Sequence, residues 1–177
     1  MRVPDHDAPV ETMWEGRFIV TKKRGRWEYV SRARGIRAAA ILAVDQGDVI
    51  LVEQYRVPLG RYCLELPAGL IGDEGGADES AETAAARELE EETGYRAAHI
   101  ETIGEFFSSP GMVSESFALV KATGLTKVGD GGGEGDEDII VHRVALGDVA
   151  AFVAARRAQG VAIDVKLLML LTGSVFG

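Results

Sequence analysis

The chain has 177 residues, 46% hydrophobic and 27% charged, proportions that suit one globular domain with a sizeable core. Its 28 acidic and 19 basic residues give a formal net charge of −9, which argues against a general binder of nucleic acid or of anionic membranes. One cysteine, Cys63, leaves no internal disulfide to form; no apolar run is long enough for a membrane span, and the start Met1-Arg2-Val3-Pro4-Asp5 does not read as a signal peptide, so a cytoplasmic protein is expected.

Residues 1–12 are polar with two prolines and predict a loose arm. Trp14–Thr21 and Arg26–Ala33 predict two strands joined by the turn Lys22-Lys23-Arg24-Gly25. Ala38–Val44 and Val49–Gln54 are apolar strands around Asp45-Gln46-Gly47-Asp48, and Cys63–Pro67 is a shorter strand running into Ala68-Gly69-Leu70-Ile71-Gly72. Ser80 is the expected N-cap of a helix over 81–93, with Ala81, Ala85 and Leu89 as its apolar stripe and Gly94 as its stop. Ile100–Phe107, Ser116–Ala122 and Ile139–Val144 read as further strands, and Leu146–Ala158 and Asp164–Thr172 as closing helices split by Gly160. Mixed strands with few, late helices predict an α+β chain or an α/β/α sandwich, not a doubly wound parallel sheet. The histidines, His6, His99 and His142, lack the spacing of metal ligands and are expected in packing or surface roles.

The run Arg87-Glu88-Leu89-Glu90-Glu91-Glu92-Thr93-Gly94-Tyr95 places acids at 88, 91 and 92. On a helix, i, i+3 and i+4 lie on one face, where like charges repel. A hard divalent cation would relieve that repulsion, because Mg²⁺ and similar ions take oxygen ligands. The pattern therefore points to a metal platform and, through it, to phosphate chemistry. Glu90 falls outside the cluster and reads as a solvated charge.

These residues resemble the Nudix box, G-x5-E-x7-R-E-U-x-E-E-x-G-U with U apolar. Seven residues separate Glu79 from Arg87, and every later fixed position matches, with Tyr95 in the last apolar place. The left half departs: nine residues stand between Gly69 and Glu79 where five are usual, which reads as a loop insertion within 72–78. The resemblance implies a Nudix fold with a mixed sheet. It also implies that Glu88, Glu91, Glu92 and the Ala68 carbonyl hold two or three Mg²⁺ or Mn²⁺ ions. Arg87, counted with the catalytic set, is expected to pair with Glu79 and hold the loop against the helix.

Beyond the box, Trp27-Glu28, Arg32, Gln54-Tyr55-Arg56, Glu65-Leu66-Pro67-Ala68-Gly69, Ser109-Pro110-Gly111 and Glu137-Asp138-Ile139 are similar to the ADP-ribose pyrophosphatase branch, which hydrolyses nucleoside diphosphate sugars. The resemblance covers about residues 14–172. It implies a division into an arm and hairpin over 1–35 and a Nudix domain over 36–177, with the hairpin exchanged across a homodimer. It further implies that Trp27 stacks on the base, that Glu28 accepts a bond from an exocyclic amine, that Arg32 and Arg56 bind the diphosphate, and that Pro110 and Gly111 line the substrate. Arginine suits phosphate because its planar fork is bidentate and always charged.

The resemblance also implies that the general base comes from the loop before the last strand, here 130–138, first at Glu137, because Glu137-Asp138-Ile139 matches the branch's run, and second at Glu134. Glycines at 129, 131, 132, 133 and 135 make a mobile loop the expectation, ordering over bound substrate. The rival readings are a Nudix hydrolase of GDP-mannose or dinucleoside polyphosphates and a non-catalytic nucleotide sensor. The intact acids at 88, 91 and 92 count against the sensor.

Overall fold

The computed structural model describes residues 3–72, 79–133, 135 and 137–173. Three strands, β1 (Val10–Glu15), β2 (Ile19–Arg24) and β3 (Trp27–Arg32), form a small antiparallel sheet of their own. The expected strand from Trp14 to Thr21 is broken at Gly16-Arg17-Phe18, so the hairpin becomes a three-stranded sheet, and the arm is already strand from Val10. The break is closed locally: Gly16 donates its N–H to the Ile19 carbonyl at 2.9 Å.

The main sheet is built from β4 (Arg37–Asp45), β5 (Asp48–Arg56), β6 (Arg61–Glu65), β7 (Ala68–Ile71), β8 (Tyr95–Phe107), β9 (Ser116–Lys127), β10 (Ile140–Ala145) and β11 (Ala162–Ile163). It is mixed: β4 with β9 and β6 with β11 are parallel, the other pairs antiparallel. The hairpin between β4 and β5 turns at Gln46 (φ 50°) and Gly47 (φ 86°), the two positive φ values that a tight two-residue turn demands. Those two strands pair only beside the turn, at Val44–Asp45 with Asp48–Val49. Beyond it they part. The start of β4 turns to β7, and the end of β5 to β6.

Side chains alternate across this sheet with a period of two. Ala39, Ile41 and Ala43 of β4 face one side, where Ala84, Ala85 and Leu89 of helix α1 (Ala81–Thr93) complete an apolar core. Ala40, with Leu42 and Val44, faces the other, packed with Val149 and Val153 of helix α2 (Val149–Ala158) and Leu167. Helices on both faces make the α/β/α sandwich. A buried acid ties α2 down: Glu53 of β5 accepts from Arg156 Nε at 2.8 Å and lies 3.2 Å from His142 Nε2. His142 thus has the packing role expected of it.

Helix α1 has the expected boundaries. Ser80 Oγ accepts from the Thr83 N–H at 3.1 Å, and Gly94 ends the helix at φ 68°. Other bounds differ. Ala68–Ile71 is a strand, β8 begins at Tyr95 rather than Ile100, and β9 runs on to Lys127. The last predicted helix is a 3₁₀ segment over Val165–Leu170, preceded by the short β11. Cys63 is buried, and burial pushes its thiol up to about 12. Among the described residues no helix is long and apolar enough to cross a membrane.

Candidate active site

The start of β4, the end of β5, β7 and one face of α1 enclose a cavity of about 450 Å³. Glu88, Glu91 and Glu92 line it from the helix, Arg32 and Arg56 from the strands, and Glu137 from the loop before β10. Strand β7 comes so close to α1 that a Cβ on Gly69 would fall 1.9 Å from Glu88 Cδ. Only glycine leaves that carboxylate room against the backbone.

The acids are held by a dense set of bonds. Arg87 Nη1 donates to Glu88 at 3.0 Å and to Glu91 at 3.1 Å, and its Nη2 reaches the Leu70 carbonyl at 3.4 Å. Buried Glu79 lies 3.8 Å from Arg87 Nε and accepts from the Gly72 N–H at 2.7 Å, so one carboxylate links helix and preceding strand. The expected insertion within 72–78 falls almost wholly on residues outside those described. Glu92, only 5% exposed, accepts from the Ala68 N–H at 3.0 Å. Burial pushes its carboxyl up to about 8; the Ala68 N–H and the Arg56 guanidinium pull the other way, while the charges of Glu88 and Glu137 add to the rise. Burial also raises Glu88, with Arg87 opposing and Glu91 adding. Glu90 points elsewhere and pairs with Arg96 at 2.8 and 2.9 Å.

Among the described residues no three acids, histidines or cysteines converge closely enough to hold an ion as they stand. The reason is visible in the bonds: Arg87 bridges Glu88 and Glu91, and Glu92 is turned to Ala68. The donor set nevertheless fits a hard divalent cation. Three carboxylate side chains line one cavity, and two of them are desolvated acids that repel their neighbours' charge.

The arginines are held in place by acids to which the sequence reading gave no role. Arg56 makes a bidentate pair with buried Glu65, at 2.6 and 2.8 Å, and Arg32 pairs with Glu115. Glu65 opens the Glu-Leu-Pro-Ala-Gly run, so its place was legible although its partner was not. Gln54 also lines the cavity.

Trp27, Pro110 and Gly111 lie elsewhere. With Tyr29 and Ser114 they surround a second cavity of about 320 Å³, where the Trp27 side is 57% exposed. Glu28 is exposed and lines neither. Hydrogen bonds join β3 to the segment that lines the second cavity. Val30 donates to the Met112 carbonyl at 3.0 Å, Ser114 donates back at 2.9 Å, and the Ser31 and Ser114 hydroxyls meet at 2.7 Å. Glu134 lies outside the described residues. Ahead of it, the Gly132 N–H donates to the Glu92 carbonyl at 2.8 Å and the Gly133 N–H to that of Glu91 at 3.1 Å.

Residues 33–158 match the NUDIX domain family. The chain belongs to that family. An ADP-ribose pyrophosphatase of Bacillus subtilis is 43% identical over 122 residues, covering 67% of this chain and 63% of the relative. An ADP-sugar pyrophosphatase of Mus musculus is 39% identical over 112 residues, covering 58% and 50%. A crystal structure of an ADP compounds hydrolase superposes with a TM-score of 0.68 at 25% identity, covering 96% of this chain and 92% of that one. The matched region spans between a half and two thirds of the length of these sequence relatives. Nudix hydrolases are in general dependent on divalent metal, in keeping with the acid face of α1.

Proposed function

We propose that this Nudix chain is a cytoplasmic hydrolase that cleaves the diphosphate of ADP-ribose-like nucleoside diphosphate sugars, giving a nucleoside monophosphate and a sugar phosphate. The observation that carries this reading is the meeting of opposite charges in one cavity. Arg32 and Arg56 suit the anionic diphosphate, and Glu88, Glu91 and Glu92 suit its counter-ions.

Glu88, Glu91, Glu92 and the Ala68 carbonyl would hold Mg²⁺ or Mn²⁺, two or three ions per site. Bound divalent ions neutralise phosphate oxygens and acidify water. Arg56, fixed by Glu65, and Arg32, fixed by Glu115, orient the diphosphate. Glu137 takes the proton of the attacking water as oxygen adds to one phosphorus and the bridging P–O bond breaks. Glu134 is the second choice for that role. Arg87 positions Glu88 and Glu91 and does not itself meet the reacting atoms. The cavity around Trp27, Pro110 and Gly111 receives the base, which the indole face anchors at little entropic cost; Glu28, the next residue of the strand, faces away from it and takes no part in the base site.

The deciding experiment is a hydrolysis screen with Mg²⁺ and Mn²⁺ against ADP-ribose, ADP-glucose, GDP-mannose, NADH and dinucleoside polyphosphates. Metal-dependent release of AMP, fastest from ADP-ribose or ADP-glucose, is the expected result. No metal-dependent turnover of any of them would overturn the reading.

We also propose that the N-terminal sheet pairs two chains into a homodimer. Met13, Trp14 and Phe18 of this sheet are all more than half exposed, an apolar surface that a second copy would cover. Sedimentation should give a dimer at micromolar concentration, and deletion of residues 1–24 should give a monomer with weakened substrate binding. A monomeric full chain at that concentration would refute the pairing.

A further inference from the structure

The last carbonyls of a helix have no partner within it. At the end of α1 the last residue of β9 and the chain after it supply them. Val128 and Gly129 donate to the Gly94 carbonyl at 2.8 and 3.2 Å, Lys127 Nζ to that of Thr93 at 2.8 Å, Gly132 to that of Glu92, and Gly133 to that of Glu91. The approach excludes side chains. A Cβ on Gly131, whose φ is 72°, would fall 2.4 Å from the Thr93 carbonyl carbon; one on Gly94 would fall 2.2 Å from the Gly129 oxygen.

The same loop holds the acid that faces the helix. Ile139, two residues beyond Glu137, donates to the Gly132 carbonyl at 3.3 Å. The Glu137 side chain rests on the loop's own backbone, where a Cβ on Gly133 would sit 2.4 Å from Glu137 Oε2. Glu91 and Glu92 therefore present carboxylates to the cavity and carbonyls to the loop.

We propose that Gly131, Gly132 and Gly133 form a latch that registers Glu137 against the acid face, Gly131 and Gly133 acting as positioning residues. The proposal rests on the reading of Glu137 as the proton acceptor. Here glycine serves close approach rather than freedom, and helix and base hold one register through shared backbone bonds.

A double-mutant cycle tests this with the full chain, ADP-ribose and Mg²⁺. Gly131→Ala should lower kcat by about tenfold or more, as displacement of a reacting group by an ångström does, with KM held within about twofold. Gly129→Ala, where an added Cβ meets open space, should stay within about twofold of the parent in kcat. In a Glu137→Gln background, Gly131→Ala should cost nothing further, because the group it positions is already gone. Multiplicative losses in the double variant would overturn the latch. Hydrogen exchange gives a readout free of activity: the Gly132 and Gly133 amides should exchange slowly in the parent protein. Fast exchange there would overturn the latch whether or not the base reading stands, whereas an unaltered kcat in Glu137→Gln alone would overturn the base reading.

Discussion

Replacing Glu92 by Gln should remove most metal-dependent turnover, about 100-fold or more, since even partners that only orient metal ligands are worth 10–100-fold. The activity–Mg²⁺ curve should move to higher concentration as well. An unchanged curve would show that the acid face of α1 does not hold the ion. The same variant has a second, independent readout. In the metal-free folded protein the Glu92 carboxyl keeps its proton up to about pH 8, whereas an ordinary carboxyl loses it near 4.5. Between those values the folded state binds more protons than the unfolded one. Stability contributed by this group is thus full below about pH 4.5 and is lost as the pH rises through 8, by up to about 1.4 kcal/mol per pH unit. Chemical denaturation of the chelated protein at pH 6 and pH 8 should register that fall, and Glu92→Gln, which cannot ionise, should flatten it. A parent protein equally stable at both pH values would contradict the burial argument.

The Glu137→Gln exchange is expected to lower kcat by 10²–10⁴-fold, the usual worth of a positioned general base, while KM changes little. The amide keeps the side chain's size and its place against Gly133 but cannot accept the proton. Catalysis equal to the parent's would move the base elsewhere in the loop, Glu134 being the next candidate to substitute.

Helix α1 was legible because its signals are local. Ser80 and Gly94 satisfy the helix ends, and the acids repeat at helical spacing, so boundaries and face follow without knowledge of the rest. Strands were less so. The break at Gly16-Arg17-Phe18 depends on a backbone bond to Ile19, and the extension of β8 back to Tyr95 depends on its pairing with Lys127 of β9. Neither partner is visible from the strand's own pattern. The same holds in the site. Arg56 could be named from its neighbours in sequence, but its clamp by Glu65 arises only when β5 and β6 pair, with Val52 opposite Glu65. Gly131 shows the same limit: composition alone reads as freedom, and only the docked helix end gives this glycine a steric task.

Strand β3 has a metric consequence. Trp27 and Arg32 stand at its two ends, one beside each cavity, and five residues of extended chain span about 17 Å at roughly 3.3 Å each. An unbroken ladder with β2 holds that interval fixed. With the base at Trp27 and the diphosphate at Arg32, as proposed, the strand would gauge molecular length. On the proposed reading, a compact phosphate ester would engage one end only, while an elongated molecule with a ring at one extremity and a double phosphate further along would engage both, so selection by reach would precede any selection by the identity of the sugar.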